Sequence, residues 1–125
     1  MTIREAIEMA DRLEHNSVDY GLKVGWLSDL DSKIYTEIML THEGLPEDSE
    51  PPHYGPETDV ETELLVTDPH AAAVYSNHLR AMINEAANDT GRYNASVAQF
   101  NTALQTYSNW YNKQHMPIYT GTWRF

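Results

Sequence analysis

Residues 93–111 read YNASVAQFNTALQTYSNWY, and the fold class follows from the spacing within them. Tyr93, Val97, Phe100, Leu104, Tyr107 and Tyr111 recur at steps of four, three, four, three and four. Those steps place all six side chains on one stripe of an α-helix. Small or polar residues fill the gaps: Asn94, Ser96, Gln99, Asn101, Gln105, Thr106 and Asn109. The stripe is a helix-packing seam, and the opposite face carries no group suited to catalysis. The chain reads as a part that is held and holds, not as an enzyme.

The neighbouring segments extend the same reading. Asp68-Pro69 predicts a helix start, with Asp68 as N-cap and Pro69 at the first helical position. Tyr75, Leu79, Met82, Ile83 and Ala86 give that helix an apolar face up to about Asn88. Asn88 to Gly91 then reads as a tight turn, and the seam helix runs from Arg92 to about His115. Two helices joined so closely, about 69–88 and 92–115, should pack as a long antiparallel αα-hairpin.

At the other end, Thr2-Ile3-Arg4-Glu5 matches a capping box, so a short helix should run from Ile3 to about Glu14. His15-Asn16-Ser17 breaks it, with Ser17 placed to cap a second helix from roughly Val18 to Met39. Leu27, Leu30, Ile34 and Ile38 form the apolar face of that helix, flanked by Trp26 and Tyr35. Asp29 and Asp31 are weak helix formers, and a break near Ser28 to Ser32 is compatible with them.

Gly44 to Pro56 holds four prolines and two glycines among several acids. That composition predicts a loop. Glu63-Leu64-Leu65-Val66 suits a brief strand or a pinned extended segment. After Met116-Pro117, Tyr119, Trp123 and Phe125 fall on alternate positions of an extended tail. So aromatic a segment should leave water, by folding back or by docking on a neighbouring subunit. The expected architecture is a small all-α bundle, one domain over residues 1–125. It has an acidic loop at 44–66 and an extended assembly tail at 116–125. Met116, Ile118, Tyr119, Trp123 and Phe125 are the candidate assembly residues.

Composition narrows the function. The net charge is −11, and it is unevenly spread. Ile34 to Leu79 carries ten acids and no Lys or Arg, whereas Arg80 to Phe125 carries two acids and four bases. Basic clusters able to grip phosphates are absent. An acidic segment repels DNA, attracts a basic partner, or stays solvated. No run of some 18 apolar residues predicts a membrane span, and the acids near the start do not suit a signal peptide. The chain has no cysteine, which excludes disulfides and thiolate zinc sites and fits a reducing compartment.

Catalytic and metal motifs fail on spacing. His42-Glu43 opens like a zincin helix, but Gly44-Leu45-Pro46 follows and no histidine sits four residues on. His70 and His78 are eight residues apart, too far along one helix to share an ion. Asp29-Leu30-Asp31-Ser32-Lys33-Ile34 begins like a calcium loop, yet Ile34 occupies the glycine position, so a solvated helix face is expected. The acids of Glu47 to Glu50 and Glu57 to Glu61 read as a disordered acidic loop. No nucleophile elbow surrounds any serine. The Tyr and Phe stripe lacks the Lys and Arg of a base-stacking platform, so core or subunit interface is expected. No catalytic residue, metal or cofactor is predicted.

Several segments together carry a family resemblance. They are Trp26-Leu27-Ser28-Asp29-Leu30-Asp31, Thr41-His42-Glu43, Thr62-Glu63-Leu64-Leu65-Val66, Arg92-Tyr93-Asn94, Phe100-Asn101 and Tyr111-Asn112-Lys113-Gln114-His115-Met116-Pro117. In this order the chain resembles the small head–tail connector (adaptor) proteins of long-tailed bacteriophages. That resemblance implies a helical virion protein, made in the host bacterial cytoplasm, that assembles as a ring, commonly of twelve copies, beneath the portal. It implies a portal protein and a stopper or tail protein as partners, with DNA only as passing cargo and no membrane. The alternatives are another small virion protein, such as a stopper or tail-completion protein, and a cellular helical adaptor for a basic partner.

Overall fold

The structure is a computed structural model, and it describes residues 1–118. It is built from four helices: α1 (Ile3–Leu13), α2 (Tyr20–Glu37), α3 (Ala71–Ala86) and α4 (Thr90–Gln114), with a 3-10 turn at Met39–Thr41. No strand occurs among the described residues, only isolated bridges at Thr2–Glu63 and His42–Pro117. The all-α class expected from periodicity is observed.

The capping box forms as its residues dictate. Thr2 Oγ1 accepts from the Glu5 amide at 3.1 Å, and the Glu5 carboxylate accepts from the Thr2 amide at 2.9 Å. The next orphan amides of α1 go to the extended segment: Ile3 N–H to the Thr62 carbonyl and Arg4 N–H to the Val60 carbonyl, both at 3.0 Å. Leu64 N–H returns to the Met1 carbonyl at 2.9 Å. Residues 60–64 are thus a segment pinned on the start of α1. Ile3, Ala6, Ile7 and Ala10 bury the inward face of α1.

Three helix starts differ from expectation. Ser17 does not cap α2, because the Asn16 side chain accepts from Val18 N–H at 3.0 Å and holds 16–18 in a turn. Asp19 is the N-cap and accepts from the Gly21 amide. Asp68 does not cap α3. The Thr67 carbonyl accepts from His70 and Ala71, so a turn precedes a helix that starts at Ala71. The seam helix begins at Thr90 instead of Arg92, since Asp89 accepts from the Arg92 amide. The reversal before it uses Asn88 at a φ of 58°, a left-handed position that asparagine tolerates.

The expected break in α2 is absent, and its cause is informative. Ser28 Oγ accepts from the Tyr54 amide at 2.9 Å, and Ser32 Oγ donates to the Pro52 carbonyl at 2.7 Å. The Tyr35 hydroxyl bonds Ser49. The polar residues that resemble helix breakers are the contacts that hold the Pro-rich segment onto α2. Farther along the loop the packing continues: Tyr54, Leu64 and Val66 are buried in the core. Burial of Leu64 and Val66 contributes about 1.5–3 kcal/mol each, enough to offset part of the cost of ordering the loop. The acids around them face water.

Val24, Leu27, Leu30 and Ile34 of α2, Val74, Tyr75 and Leu79 of α3, and Tyr107 and Tyr111 of α4 complete the core. The most extensive helix–helix contact is between α3 and α4, and α1 lies against α3.

Candidate functional site

At the centre lies a carboxylate that accepts three hydrogen bonds. Asp31 is fully buried, which corrects its expected place on a solvated face; its neighbour Asp29 is the exposed one. Asp31 Oδ1 accepts from the Tyr75 hydroxyl at 2.6 Å. Its Oδ2 accepts from the Tyr54 hydroxyl at 2.6 Å and from Leu65 N–H at 3.0 Å. The Tyr75 hydroxyl in turn accepts from Val66 N–H at 2.8 Å. Burial raises the Asp31 carboxyl above the usual range, opposed by its three donors. Burial and the facing Asp31 charge push both tyrosine hydroxyls far above theirs. Asp31 fastens the loop to α2 and α3.

A second buried carboxylate closes the other end of the bundle. Glu14 accepts from Arg92 at 2.9 Å and from Asn84 at 3.2 Å, with Arg80 Nε at 3.8 Å. It ties the last turn of α1 to α3 and α4. No group of three His, Asp or Glu side chains among the described residues is arranged to hold a metal ion, and no helix among them is long and apolar enough to cross a membrane.

The seam divides along its length. Tyr107 and Tyr111 are buried, whereas Tyr93, Val97, Phe100 and Leu104 are only half-buried. Ser96, between the stripe positions, is buried against Asn84 of α3. A small residue there lets the two helices approach, so the true contact line is rotated from the apolar stripe. Phe100 and Leu104 instead wall an apolar cleft of about 170 Å³, together with Leu30, Ile34, Ile38 and His78.

The chain beyond α4 forms the remaining feature. His115 stacks on Tyr111 at 4.0 Å between ring centres, and Tyr111 meets His42 edge-on at 5.1 Å. His42 Nδ1 donates to the Ile38 carbonyl at 2.6 Å, and its Nε2 pairs with the Asn112 side chain. Gly44 adopts a φ of +110°, and a Cβ there would stand 3.0 Å from the His115 ring. On this base the outgoing chain pairs antiparallel with residues 41–43. Glu43 N–H donates to the Met116 carbonyl at 2.8 Å, and Ile118 N–H donates to the Thr41 carbonyl at 2.7 Å.

Its backbone is hydrogen-bonded, while two of its apolar side chains face outward. Met116 is 65% exposed and Ile118 47%. Both are brought to one end of the bundle, beside Leu40, which is 48% exposed. Tyr119, Trp123 and Phe125 lie outside the described residues. Sequence reasoning missed Asp31, Tyr54, Glu14 and the His42–Asn112 pairing. Asp31 alone carried a signal, as an acid on an otherwise apolar helix face.

No family model, curated protein or solved structure matches this chain.

Proposed function

We propose that this chain is a structural virion protein, the subunit of a head–tail connector ring in a long-tailed bacteriophage. In this reading it docks beneath the portal, extends the DNA channel and links it to a stopper or tail protein. It works by holding its neighbours, without a cofactor. The observation that carries the reading is the edge at 116–118, where backbone bonds fix the chain and apolar side chains face outward. Such an edge suits docking on a neighbouring protein.

The parts take roles accordingly. An antiparallel αα-hairpin of α3 and α4 is the rigid spine, and the tail from Met116 to Phe125 is the assembly segment. Glu47, Asp48, Glu50, Glu57 and Asp59 are exposed on a loop whose core is fixed. A wall of carboxylates repels phosphate within a Debye length of about 8–10 Å, so DNA passes without adhering. The sequence resemblance supports the same assignment.

The test is direct. Mass spectrometry of purified virions should find the chain in several copies per particle, and negative-stain micrographs should show it in a ring at the neck. Its absence from virions would overturn the reading. The exposed acids also favour a second reading, a cellular helical adaptor for a basic partner. That reading requires a monomer that binds such a partner and is missing from particles. The helical fold counts against a stopper or tail-completion protein, since those are usually rich in β-strands.

A further inference from the structure

We propose that residues 119–125 lie back along the apolar cleft between α2 and α4 of their own chain, with the Trp123 ring seated in it. The inference stands without the ring reading and is compatible with it, since Met116 and Ile118 stay outward for a neighbour.

The direction of the outgoing chain points there. Ile118 N–H bonds the Thr41 carbonyl and Glu43 N–H bonds the Met116 carbonyl, so the chain leaves antiparallel to residues 41–43. It therefore heads back toward Ile38, whose carbonyl accepts from Thr41 Oγ1 at 2.7 Å. Ile38 is one wall of the cleft, which continues through Ile34 and Leu30 and faces His78, Phe100 and Leu104.

The facing of the side chains agrees. Successive residues of an extended chain alternate sides. Met116 and Ile118 are exposed, whereas Pro117 between them is half-buried. The same alternation carried forward turns Tyr119, Trp123 and Phe125 to the side of Pro117, toward the bundle.

Reach and size select Trp123. From Ile38 to Leu30 the helix rises about 12 Å. The five residues from Ile118 to Trp123 span about 16–18 Å when extended, enough to pass Ile38 and lay the indole along the cleft. Tyr119, one residue out, stays beside Thr41. The cleft measures about 170 Å³, and an apolar cavity of about 150 Å³ holds a benzene ring. One aromatic side chain therefore fits, and it would cover the half-buried Phe100 and Leu104.

Charge is favourable. Asp29, Lys33 and Glu37 line the rim on α2, exposed and without ion pairs among the described residues. Glu47, Asp48 and Glu50 of the loop that docks on α2 add negative charge. From Tyr93 to Asn112, α4 has no charged residue. On α3, Arg80 is turned to Glu14, and Glu85 lies seven residues past His78. At the exit, Glu43 and Lys113 are exposed and opposite in sign. The excess is negative, and the one charge in residues 119–125 is the cation Arg124.

Thr122→Cys gives the full chain its one cysteine, and a nitroxide attached there reports its surroundings in methyl-labelled NMR spectra. The methyl signals of Ile34, Ile38 and Leu104 should lose most of their intensity, while those of Leu13 and Leu22 keep theirs. Reducing the nitroxide with ascorbate should restore every signal. Methyl-labelled protein without nitroxide, mixed with unlabelled protein that carries it, should show no loss. Adding Trp123→Ser should return most of the lost intensity. Losses in the mixed sample as large as those within one chain would make a second copy's tail the occupant, and the proposal would fail. Cleft methyls at full intensity would leave the cleft without the tail, and losses that persist in Trp123→Ser would remove the indole from it. Either result overturns the proposal. The ring reading is decided separately, by virion composition and neck micrographs.

Discussion

Asp31 of α2 and Tyr75 of α3 share a hydrogen bond of 2.6 Å in the middle of the protein. On its other oxygen Asp31 takes up Tyr54 and the Leu65 amide, so one carboxylate joins two helices to a loop that has no helix of its own. Asp31→Ala would leave two hydroxyls and an amide buried without an acceptor. A loss of about 3–5 kcal/mol is expected, read from urea denaturation midpoints. Asp31→Asn keeps one acceptor and should cost less, about 1–3 kcal/mol. A midpoint unmoved by Asp31→Ala would remove the hub from the account of stability.

His78 makes acid destabilising. Its ring is half-buried against Phe100 at 5.4 Å, and its Nε2 donates to the Trp26 carbonyl at 3.1 Å. Burial lowers its proton affinity despite that bond. A group with a lowered folded pKa contributes stability that is present above its unfolded value, about 6.5 for histidine, and lost as pH falls. The denaturation midpoint should therefore drop between pH 7.5 and 5.5. His78→Gln keeps a donor without titrating, so its midpoint should fall less over the same interval. Equal falls would assign the acid sensitivity elsewhere.

Gly44→Ala tests the base on which the outgoing chain rests. Its left-handed φ and the His115 ring at 3.0 Å both oppose a methyl group. A cost on the order of 1–3 kcal/mol is expected, with perturbed ring signals of Tyr111 and His115 in NMR spectra. Wild-type stability would mean that residues 41–44 readjust freely.

Removing Ile118 to Phe125 should separate folding from assembly. Among the described residues it deletes one backbone bond, at Thr41, and leaves the core and the Glu43–Met116 bond in place. The truncated protein should remain a helical monomer by circular dichroism and sedimentation, yet fail to join particles. Particles containing the truncated chain at normal copy number would refute the assembly role.

Neutralising Glu47, Asp48 and Glu50 to Gln, Asn and Gln should barely alter stability. All three are exposed and unpaired among the described residues, and such surface changes typically stay within about 0.5 kcal/mol. DNA should adhere more to the neutralised protein in a low-salt filter assay if the acids act as a repelling wall. Unchanged retention would leave that role unsupported.

What was legible in the sequence was local. The Thr2 and Glu5 capping box, the apolar periods of α2 and α3, and the Tyr107 and Tyr111 end of the seam rest on neighbours within a few residues. What was not legible depended on partners far along the chain. Asp31 looks solvated beside Asp29, because its donors lie 23, 34 and 44 positions away. Tyr54 sits among prolines and acids that individually predict a loose loop. Ser96 hides a close helix approach behind a polar side chain. The edge at 116–118 was half legible: the end of the helix before Met116-Pro117 was expected, but the pairing with 41–43 requires the bundle to have formed.

Among the described residues, main-chain hydrogen bonds moor residues 116–118, and main-chain groups are common to nearly every amino acid. Met116 and Ile118 can therefore be rewritten by selection with little effect on folding. A lineage whose docking counterpart drifts can follow it there, residue for residue, while the interior stays unchanged.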